Sequence, residues 1–238
     1  EVAYLEERTT LKVVNLATGK SRVVLPGEMN YSYADGDQWY QWSPDGKSFA
    51  VQFLSPTRWS SEVGIVDAAG GKPVFNVSRS GYDDEQPRWA RKGEVLFWAT
   101  DRFGTRQHSG YPREQDVFAA FLTKKAWDRF RLDEAAYAQL VEKEKEADKK
   151  KDKDKAKDAD KGKDGKKDAS KDEEKKAEGE VKLPEPVALE LDALDERTAR
   201  LSLHSASLAD AALTPDGETL VYLARFEKGF DLWKYVPR

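Results

Sequence analysis

Short runs of alternating apolar and polar residues, separated by turn residues, predict that this chain is built mainly from β-strands. The clearest run covers residues 41–53, where Phe49, Val51 and Phe53 alternate with Ala and Gln after a Pro-Asp-Gly turn at 44–46. Proline presets φ for such a turn, aspartate can bond back to its own backbone, and glycine supplies a positive φ. The run is therefore predicted to form a strand, a tight turn and a second strand with one buried face.

This strand-turn-strand unit recurs in two less regular copies, at residues 88–100 and 212–223. From Gly46 to Gly93 the spacing is 47 residues, close to the roughly 40–45 residues of a four-stranded propeller blade. From Gly93 to Gly217 it is 124 residues, which is too long for one blade. The sequence therefore predicts a repeat architecture in which the second repeat carries an insertion.

The fold class predicted from this spacing is all-β, a partial β-propeller of four-stranded antiparallel blades with a short helical and charged disordered insertion. Four segments are expected along the chain: 1–27 as the closing strands of a preceding blade, 28–80 as a whole blade, 81–203 as a blade interrupted by the insertion at about 123–182, and 204–238 as the start of a further blade. Closed propellers usually have four to eight blades, so this segment is not expected to close a ring by itself.

The insertion combines predicted helices with a charged tract. Thr123 and Asp133 are predicted to cap two helices that have apolar faces. Residues 142–180 contain 15 lysines and 15 acidic residues and no Val, Ile, Leu or aromatic residue. Such a tract cannot bury enough surface to offset its ordering entropy, and it lacks the Gly and Glu spacing of a calcium loop. We predict a solvated, disordered linker there.

Composition excludes several functional classes. The net charge of −4 gives no basic footprint for nucleic acid, and no apolar run reaches the length of a membrane-spanning helix. The absence of cysteine excludes disulfides and thiolate metal sites, and no metal or cofactor site is predicted. The chain begins at Glu1 inside a strand pattern, so we expect it to be a piece of a longer protein.

No catalytic constellation is predicted. The chain has two histidines, His108 in a polar loop and His204 at a strand edge, and no Gly-x-Ser-x-Gly elbow. The acidic run at 83–85 could act in acid–base chemistry, but its neighbouring turn residues favour a loop role. Tryptophans at strand positions are predicted to lie in the core, namely Trp42, Trp89, Trp98 and Trp233.

The candidate binding residues lie in loops, because propeller loops and the central channel are where ligands bind. They are candidates for contacts with peptides or protein partners: Tyr31, Tyr33, Asp35, Asp37, Arg58, Trp59, Arg102, Arg106 and His108. The alternative interpretation is that these side chains only brace the loops.

Four stretches resemble the β-propeller region of bacterial tricorn-protease-like serine peptidases, of the tail-specific protease superfamily. They are YADGDQWYQWSPDGKSFAV, SRSGYDDEQPRWARKGEVLFWATDRFGTRQH, DVFAAFLTKKAWDRFRL and LARFEKGFDLWKY. The most specific feature is FLTKKAWDRF followed by a charged tract. The Asp-Gly turn alone is also found in Tol-associated and prolyl-oligopeptidase-type propellers.

The resemblance implies a non-catalytic propeller segment that gates or channels peptides or unfolded protein towards PDZ-like and catalytic domains outside this chain. It implies a homo-oligomer in the periplasm or cell envelope, although the archaeal relative is cytoplasmic. No residue here matches the family's nucleophilic serine or its partners. Two alternatives stay open, a periplasmic propeller scaffold for protein binding with no attached hydrolase, and the propeller of a prolyl-oligopeptidase-type enzyme.

Overall fold

The computed structural model describes residues 1–57, 59–106, 113–160 and 183–237. The described chain divides into two compact units. The first unit comprises residues 1–128 and 183–237 and contains all the described strands. The second begins at Arg129 and is described as far as Asp160.

Four antiparallel sheets make up the first unit, and each is built from strands that follow one another along the chain. Within every sheet the hydrogen-bonded order is also the order in the sequence. The first sheet has β1 (Val2–Glu6), β2 (Thr10–Val14) and β3 (Ser21–Leu25); the second has β4 (Tyr40–Trp42), β5 (Ser48–Leu54), β6 (Ser61–Asp67) and β7 (Phe75–Asn76); the third has β8 (Asp84–Ala90), β9 (Val95–Thr100), β10 (Asp116–Phe121) and β11 (Thr198–Arg200); the fourth has β12 (Ser207–Leu213), β13 (Leu220–Arg225) and β14 (Asp231–Tyr235).

The predicted Pro-Asp-Gly turns have the same geometry in the second and fourth sheets. Between β4 and β5, the Gly46 N–H donates to the Ser43 carbonyl at 2.9 Å, and the Ser43 hydroxyl donates to Asp45 at 2.5 Å. Between β12 and β13, the Gly217 N–H donates to the Thr214 carbonyl at 2.7 Å. Both glycines have a positive φ, +69° and +73°. The predicted repeat of this turn is therefore present in the backbone.

Strand β5 is buried on both of its faces, whereas the sequence predicted one buried face. Phe49, Val51 and Phe53 pack towards the first sheet in one core cluster. Ala50, which is fully buried, packs in a second cluster with Leu96 and other residues of the third sheet. A strand in the middle sheet of a stack is covered on both sides, so its alternate residues must be small or apolar as well.

Side chains also join neighbouring sheets by hydrogen bonds. The Arg22 Nε donates to the Ala68 carbonyl at 2.7 Å, between the first and second sheets. The Trp89 indole N–H donates to the Gln41 carbonyl at 3.2 Å, between the second and third. The Arg88 guanidinium donates to the Ala211 carbonyl at 2.7 Å, between the third and fourth. The sheets are therefore held by polar bonds as well as by apolar contact.

The third sheet is interrupted after β10, and the chain returns to it at residues 183–197. The buried Arg197 holds the returning segment, donating to the Phe121 carbonyl at 3.2 Å and to the Asp192 carbonyl at 3.1 Å. The prediction of a strand at residues 187–191 is wrong. That segment makes a 2.8 Å bond from the Glu190 N–H to the Leu122 carbonyl, but it has no strand pairing of its own.

Two helices follow β10, as predicted. Helix α1 (Lys124–Phe130) begins after Thr123, whose hydroxyl accepts the Ala126 N–H at 3.1 Å. Helix α2 (Glu134–Asp160) begins after Asp133, whose carboxylate accepts the Ala136 N–H at 2.8 Å. Both predicted caps are therefore confirmed.

Helix α2 extends into the charged tract that was predicted to be disordered. Its side chains at 142–147 are exposed, in agreement with the absence of an apolar face. Lysine and glutamate have good helix propensity and can pair along a helix at four-residue spacing, which explains why the helix continues through the exposed residues 142–147. The remainder of the tract, residues 161–180, lies outside the described residues.

The predicted tryptophan core is correct only in part. Trp98 is buried with 3% exposure, and the ring centroid of Trp42 lies 4.0 Å from that of Phe49. Trp233 is 42% exposed, so its prediction as a core residue is wrong. Its strand, β14, is one of the two edge strands of the fourth sheet, and no sheet in the described part of the chain covers it.

Candidate functional site

Strand register brings several loops to one end of the second and third sheets. In the second sheet Leu54 pairs with Ser61, so the loop between β5 and β6 lies beside the loop that enters β4. In the third sheet Thr100 pairs with both Asp84 and Asp116, which places the loop entering β8 beside the one joining β9 to β10. Loops that are far apart in sequence therefore meet at the same edge.

A groove of about 370 Å³ opens at this end. We call it the loop-end groove and define it by three aromatic and three acidic side chains: Tyr31, Tyr33, Trp59, Asp37, Asp83 and Glu85. The structure thus brings together four of the residues that the sequence singled out, from the loop at 26–39 and the loop at 55–60. Its volume lies within the range of small-ligand sites.

The three aromatic side chains of the loop-end groove are exposed and contact one another. Tyr31, Tyr33 and Trp59 are 48%, 83% and 68% exposed. The Tyr31 ring centroid lies 4.8 Å from that of Tyr33 and 5.5 Å from that of Trp59, with edge-on and tilted orientations. Aromatic pairs favour such geometries, yet their faces remain open to solvent and available to a ligand.

A tight loop holds Trp59 in place. The Ser55 N–H donates to the Ser60 carbonyl at 2.9 Å, and the Trp59 N–H donates to the Ser55 carbonyl at 3.2 Å. Trp59 has a φ of +55°, a left-handed conformation that is unfavourable for a residue with a large side chain. The loop thus presents an indole to solvent at a position where glycine would be less strained.

Hydrogen bonds fix the acidic side of the groove. The Arg113 guanidinium donates to Asp83 at 3.3 Å and to Glu85 at 2.5 Å. Asp83 also accepts the Ser61 N–H at 3.2 Å, and Glu85 accepts the Gln115 side-chain amide at 3.2 Å. The two carboxylates are therefore held towards the groove by partners from both sheets.

Asp37 orders the tyrosine loop and adds a fixed negative charge. Its carboxylate accepts the backbone N–H groups of Tyr33 at 2.6 Å and Ala34 at 3.0 Å. Burial acts to raise the pKa of Asp37, but hydrogen bonds from the Ala34 backbone and the Gln38 side chain outweigh it and lower the pKa to about 2. Asp37 is therefore ionised at neutral pH.

Three other predicted residues lie outside the loop-end groove. Asp35 forms an exposed ion pair with Arg8 at 2.6 Å. The Arg102 guanidinium lies 5.9 Å from the centroid of the Phe118 ring and lines a different groove, beside Ser80. Arg106 lies 3.4 Å from the buried Asp101 carboxylate, in a bracing contact. The predicted Arg58 and His108 lie outside the described residues.

Asp83, Glu85 and Arg113 also line the groove, and sequence reasoning did not find them. The turn residues around 83–85 favour a loop role for that acidic run, and no local pattern marks Arg113. A usable signal was present, because Asp83 precedes the first strand of its sheet, as Tyr31 and Asp37 precede β4. First strands of neighbouring blades start at the same end, so their preceding loops are expected to meet.

Buried carboxylates lie behind the groove in the third sheet. Asp84 accepts the Trp98 indole N–H at 2.9 Å, and burial raises its pKa to about 6. Asp116, fully buried, accepts hydrogen bonds from Ser202 and Ser205, both at 2.9 Å, and pairs with Arg200. These carboxylates are buried and hydrogen-bonded at the ends of their strands, and they do not line the groove.

The described residues contain no group of three or more histidine or acidic side chains arranged to hold a metal ion. His204, the described histidine, has its ring edge-on to Phe226 at 6.4 Å. No helix within the described ranges is both long and apolar enough to span a membrane. The side chains that line the loop-end groove are chiefly aromatic rings, carboxylates and amides.

Comparison with known proteins found matches in structure and none in sequence. No protein-family model and no curated protein matches the sequence. The crystal structure of the tricorn protease matches 96% of this chain and 20% of its own length, with 12% identity and a TM-score of 0.53. The crystal structure of TolB from Acinetobacter baumannii matches 99% of this chain and 37% of its own, with 12% identity and a TM-score of 0.47.

The four antiparallel sheets and the likeness to the tricorn protease confirm the predicted fold class, a partial β-propeller. At 12% identity the likeness concerns the fold alone. The chain spans about a fifth of the length of the tricorn protease that it matches.

Proposed function

We propose that this chain is a non-catalytic β-propeller segment of a tricorn-like serine endopeptidase, and that the loop-end groove binds peptide substrates on their way to a catalytic domain outside this chain. The observation that carries the proposal is the cluster of exposed rings of Tyr31, Tyr33 and Trp59 at the opening of the groove. Contiguous exposed apolar surface on a soluble fold marks an interaction site.

Aromatic side chains suit a site that must hold many different peptides. They offer a large contact area and lose little conformational entropy on binding, because they have only two side-chain torsions. The carboxylates beside them add polar contacts that orient a ligand. The fold shared with the tricorn protease supports the peptidase context, as does the sequence resemblance to that family.

The wider setting follows from the resemblance. We propose PDZ-like and catalytic domains outside this chain, a homo-oligomeric assembly, and a location in the periplasm or cell envelope. Labelling of the full-length gene product by a serine-directed phosphonate tests the peptidase context. Persistent failure of that labelling would favour a scaffold that binds proteins and has no hydrolase.

Peptide binding at the groove can be tested with the chain itself. We expect a short unstructured peptide labelled with fluorescein to bind, as measured by anisotropy. Trp59→Ala and Tyr31→Ala should each raise the Kd by at least about fivefold, since buried aromatic contacts carry much of the energy of such interfaces. Leu16→Ala is the matched control, because Leu16 is 71% exposed and lies outside the groove. Equal binding by all variants would refute the proposed site.

A further inference from the structure

The loop-end groove combines exposed aromatic rings with an excess of negative charge. Three carboxylates line it, from Asp37, Asp83 and Glu85, and among the described lining residues Arg113 is the one cation. Arg113 contacts two of these carboxylates and so offsets only part of their charge. The described lining residues therefore carry a net negative charge, and an incoming cation would meet both aromatic faces and carboxylates.

A positively charged side chain fits this arrangement on two independent grounds. A cation over the face of a tyrosine or tryptophan is attracted by the ring quadrupole, and more so as water is excluded. Carboxylates that are already oriented, as Asp83 and Glu85 are by Ser61 and Gln115, accept hydrogen bonds from a cation without further ordering. An acidic side chain would meet repulsion from the same carboxylates.

We propose that the loop-end groove recognises a cationic side chain, arginine above lysine, in an extended peptide. The side chain stacks on Tyr31 and Trp59 while its charge pairs with Asp83 and Glu85. This inference rests on the proposed function, because it names the class of peptide that the same groove takes. Arginine is favoured because its planar guanidinium both stacks on rings and donates paired hydrogen bonds to a carboxylate.

The size of the groove supports one side chain with its flanking backbone. Its volume of about 370 Å³ is near the lower end for small-ligand sites. A folded partner would need a far larger contact area, of the order of 1,000 Å² or more. A groove of about 370 Å³ suits the recognition of a single residue within an unfolded peptide.

The test compares three labelled peptides that are identical except for one central residue, which is arginine, citrulline or glutamate. Citrulline keeps the shape of arginine and removes its charge. We expect the arginine peptide to bind the chain about tenfold more tightly than the citrulline peptide at low salt. The difference should shrink at high salt, because salt screens partly exposed charges.

Variants assign the effect to the groove. Glu85→Gln and Asp83→Asn should each reduce the preference for arginine over citrulline, whereas Glu227→Gln, an exposed carboxylate outside the groove, should not. Thermal unfolding of each variant checks that it is folded. If Glu85→Gln or Asp83→Asn fails to fold, the three-peptide series on the unmodified chain still decides the matter.

The outcomes separate this inference from the proposed function. Equal affinities for arginine and citrulline, with binding still dependent on Trp59, would overturn cation recognition and leave peptide binding intact. Tightest binding of the glutamate peptide would overturn it in favour of recognition by Arg113. If no peptide binds, or if Trp59→Ala changes nothing, the proposed function itself fails.

Discussion

The indole Nε1 of Trp98 donates a 2.9 Å hydrogen bond to the Oδ1 of Asp84, and both side chains are buried in the third sheet. The Ser80 hydroxyl donates to the other carboxylate oxygen. These bonds stabilise the ionised form, but burial outweighs them and raises the pKa of Asp84 to about 6, with a smaller contribution from the charge of Glu62. Asp84 is therefore a charge that the fold tolerates at a cost.

Asp84→Asn should stabilise the chain relative to the wild type, and this gain should be larger at neutral pH than at acid pH. Because the pKa of Asp84 is higher in the folded state than in the unfolded state, the folded state binds more protons at pH values between the two. Wild-type stability therefore falls as pH rises from about 4 to about 6, by about 3 kcal/mol for a shift of this size. Asparagine stays neutral and can still accept the indole hydrogen bond.

Urea unfolding at pH 4 and pH 7 measures the effect, as the difference in unfolding free energy between variant and wild type. That difference should increase towards pH 7. Glu227→Gln serves as the control for an exposed carboxylate, and its difference should stay nearly constant. An equally constant difference for Asp84→Asn would show that folding does not raise the pKa of Asp84.

Gly64→Ala should destabilise the core beside β5. An added Cβ would lie 2.5 Å from the Val74 side chain, 2.9 Å from the Phe53 ring and 3.0 Å from the Phe75 carbonyl. Overpacking of this kind typically costs about 1–3 kcal/mol. Gly229→Ala is the matched control, because a Cβ there meets no atom within 4 Å. Thermal melts should show a clear fall in Tm for Gly64→Ala alone; equal melting of both variants would contradict the close packing.

The sequence was sufficient for the fold class because period-two patterning and turn chemistry recur at blade spacing. It failed where packing overrides local pattern. Alternation at residues 187–191 predicts a strand, yet β11 takes the place beside β10, and the segment has a single backbone bond, from Glu190 to Leu122, instead of a strand pairing. Trp233 looked like a core residue, but burial depends on a covering sheet, which local pattern does not encode.

The site was predictable only in part, for the same reason. Tyr31, Tyr33, Asp37 and Trp59 could be chosen because loop aromatics and loop charges stand out in the sequence. Their grouping with Asp83 and Glu85 required the relative register of two sheets, which no short motif specifies. Residue type and loop position therefore identify candidate residues. Only the three-dimensional arrangement distinguishes the residues that line the groove from those that brace a loop, such as Arg106 with Asp101.

Gly217→Ala should cost more stability than Gly46→Ala, although the two turns have the same geometry. Both glycines have a φ near +70°, where alanine pays roughly 1–2 kcal/mol. At Gly217 an added Cβ would also lie 2.7 Å from the Arg91 Cγ, whereas at Gly46 the nearest atom is the Leu183 Cδ1 at 3.5 Å.

Arg91 donates to the Asp216 carbonyl at 3.2 Å, so moving it would also weaken a contact between the third and fourth sheets. Chemical denaturation of the two variants, measured side by side, gives the comparison. Equal losses would mean that Arg91 shifts without cost.

Arg88→Gln should weaken the junction of three sheets. The Arg88 guanidinium donates to the Ala211 carbonyl at 2.7 Å, pairs with Asp210 at 2.7 Å and lies 5.0 Å from the centroid of the Trp39 ring. Losing a partly buried charged hydrogen bond costs about 1.5–3 kcal/mol. Arg8→Gln is the control, because its ion pair with Asp35 is exposed and worth at most about 1 kcal/mol. Similar losses of unfolding free energy for both variants would argue against a structural role for Arg88.

Trp59→Gly should separate binding from stability. Trp59 has a φ of +55° and is 68% exposed, so its indole contributes little to the core while its backbone is strained by roughly 1–2 kcal/mol. Glycine removes that strain but adds about 0.5–1 kcal/mol of unfolded-state entropy. We therefore expect unfolding free energy to change by less than about 1 kcal/mol, while the Kd for the arginine peptide rises at least about fivefold.

Trp59→Ala is the matched variant, because it removes the indole and keeps the unfavourable φ. Binding should be lost equally in the two variants, and Trp59→Ala should be the less stable of them in urea unfolding. If Trp59→Gly instead loses several kcal/mol of stability together with binding, the indole is a brace for the loop at residues 55–60. If both variants bind the peptide as the wild type does, the exposed ring of Trp59 has no part in recognition, and the strained backbone at this position has another cause.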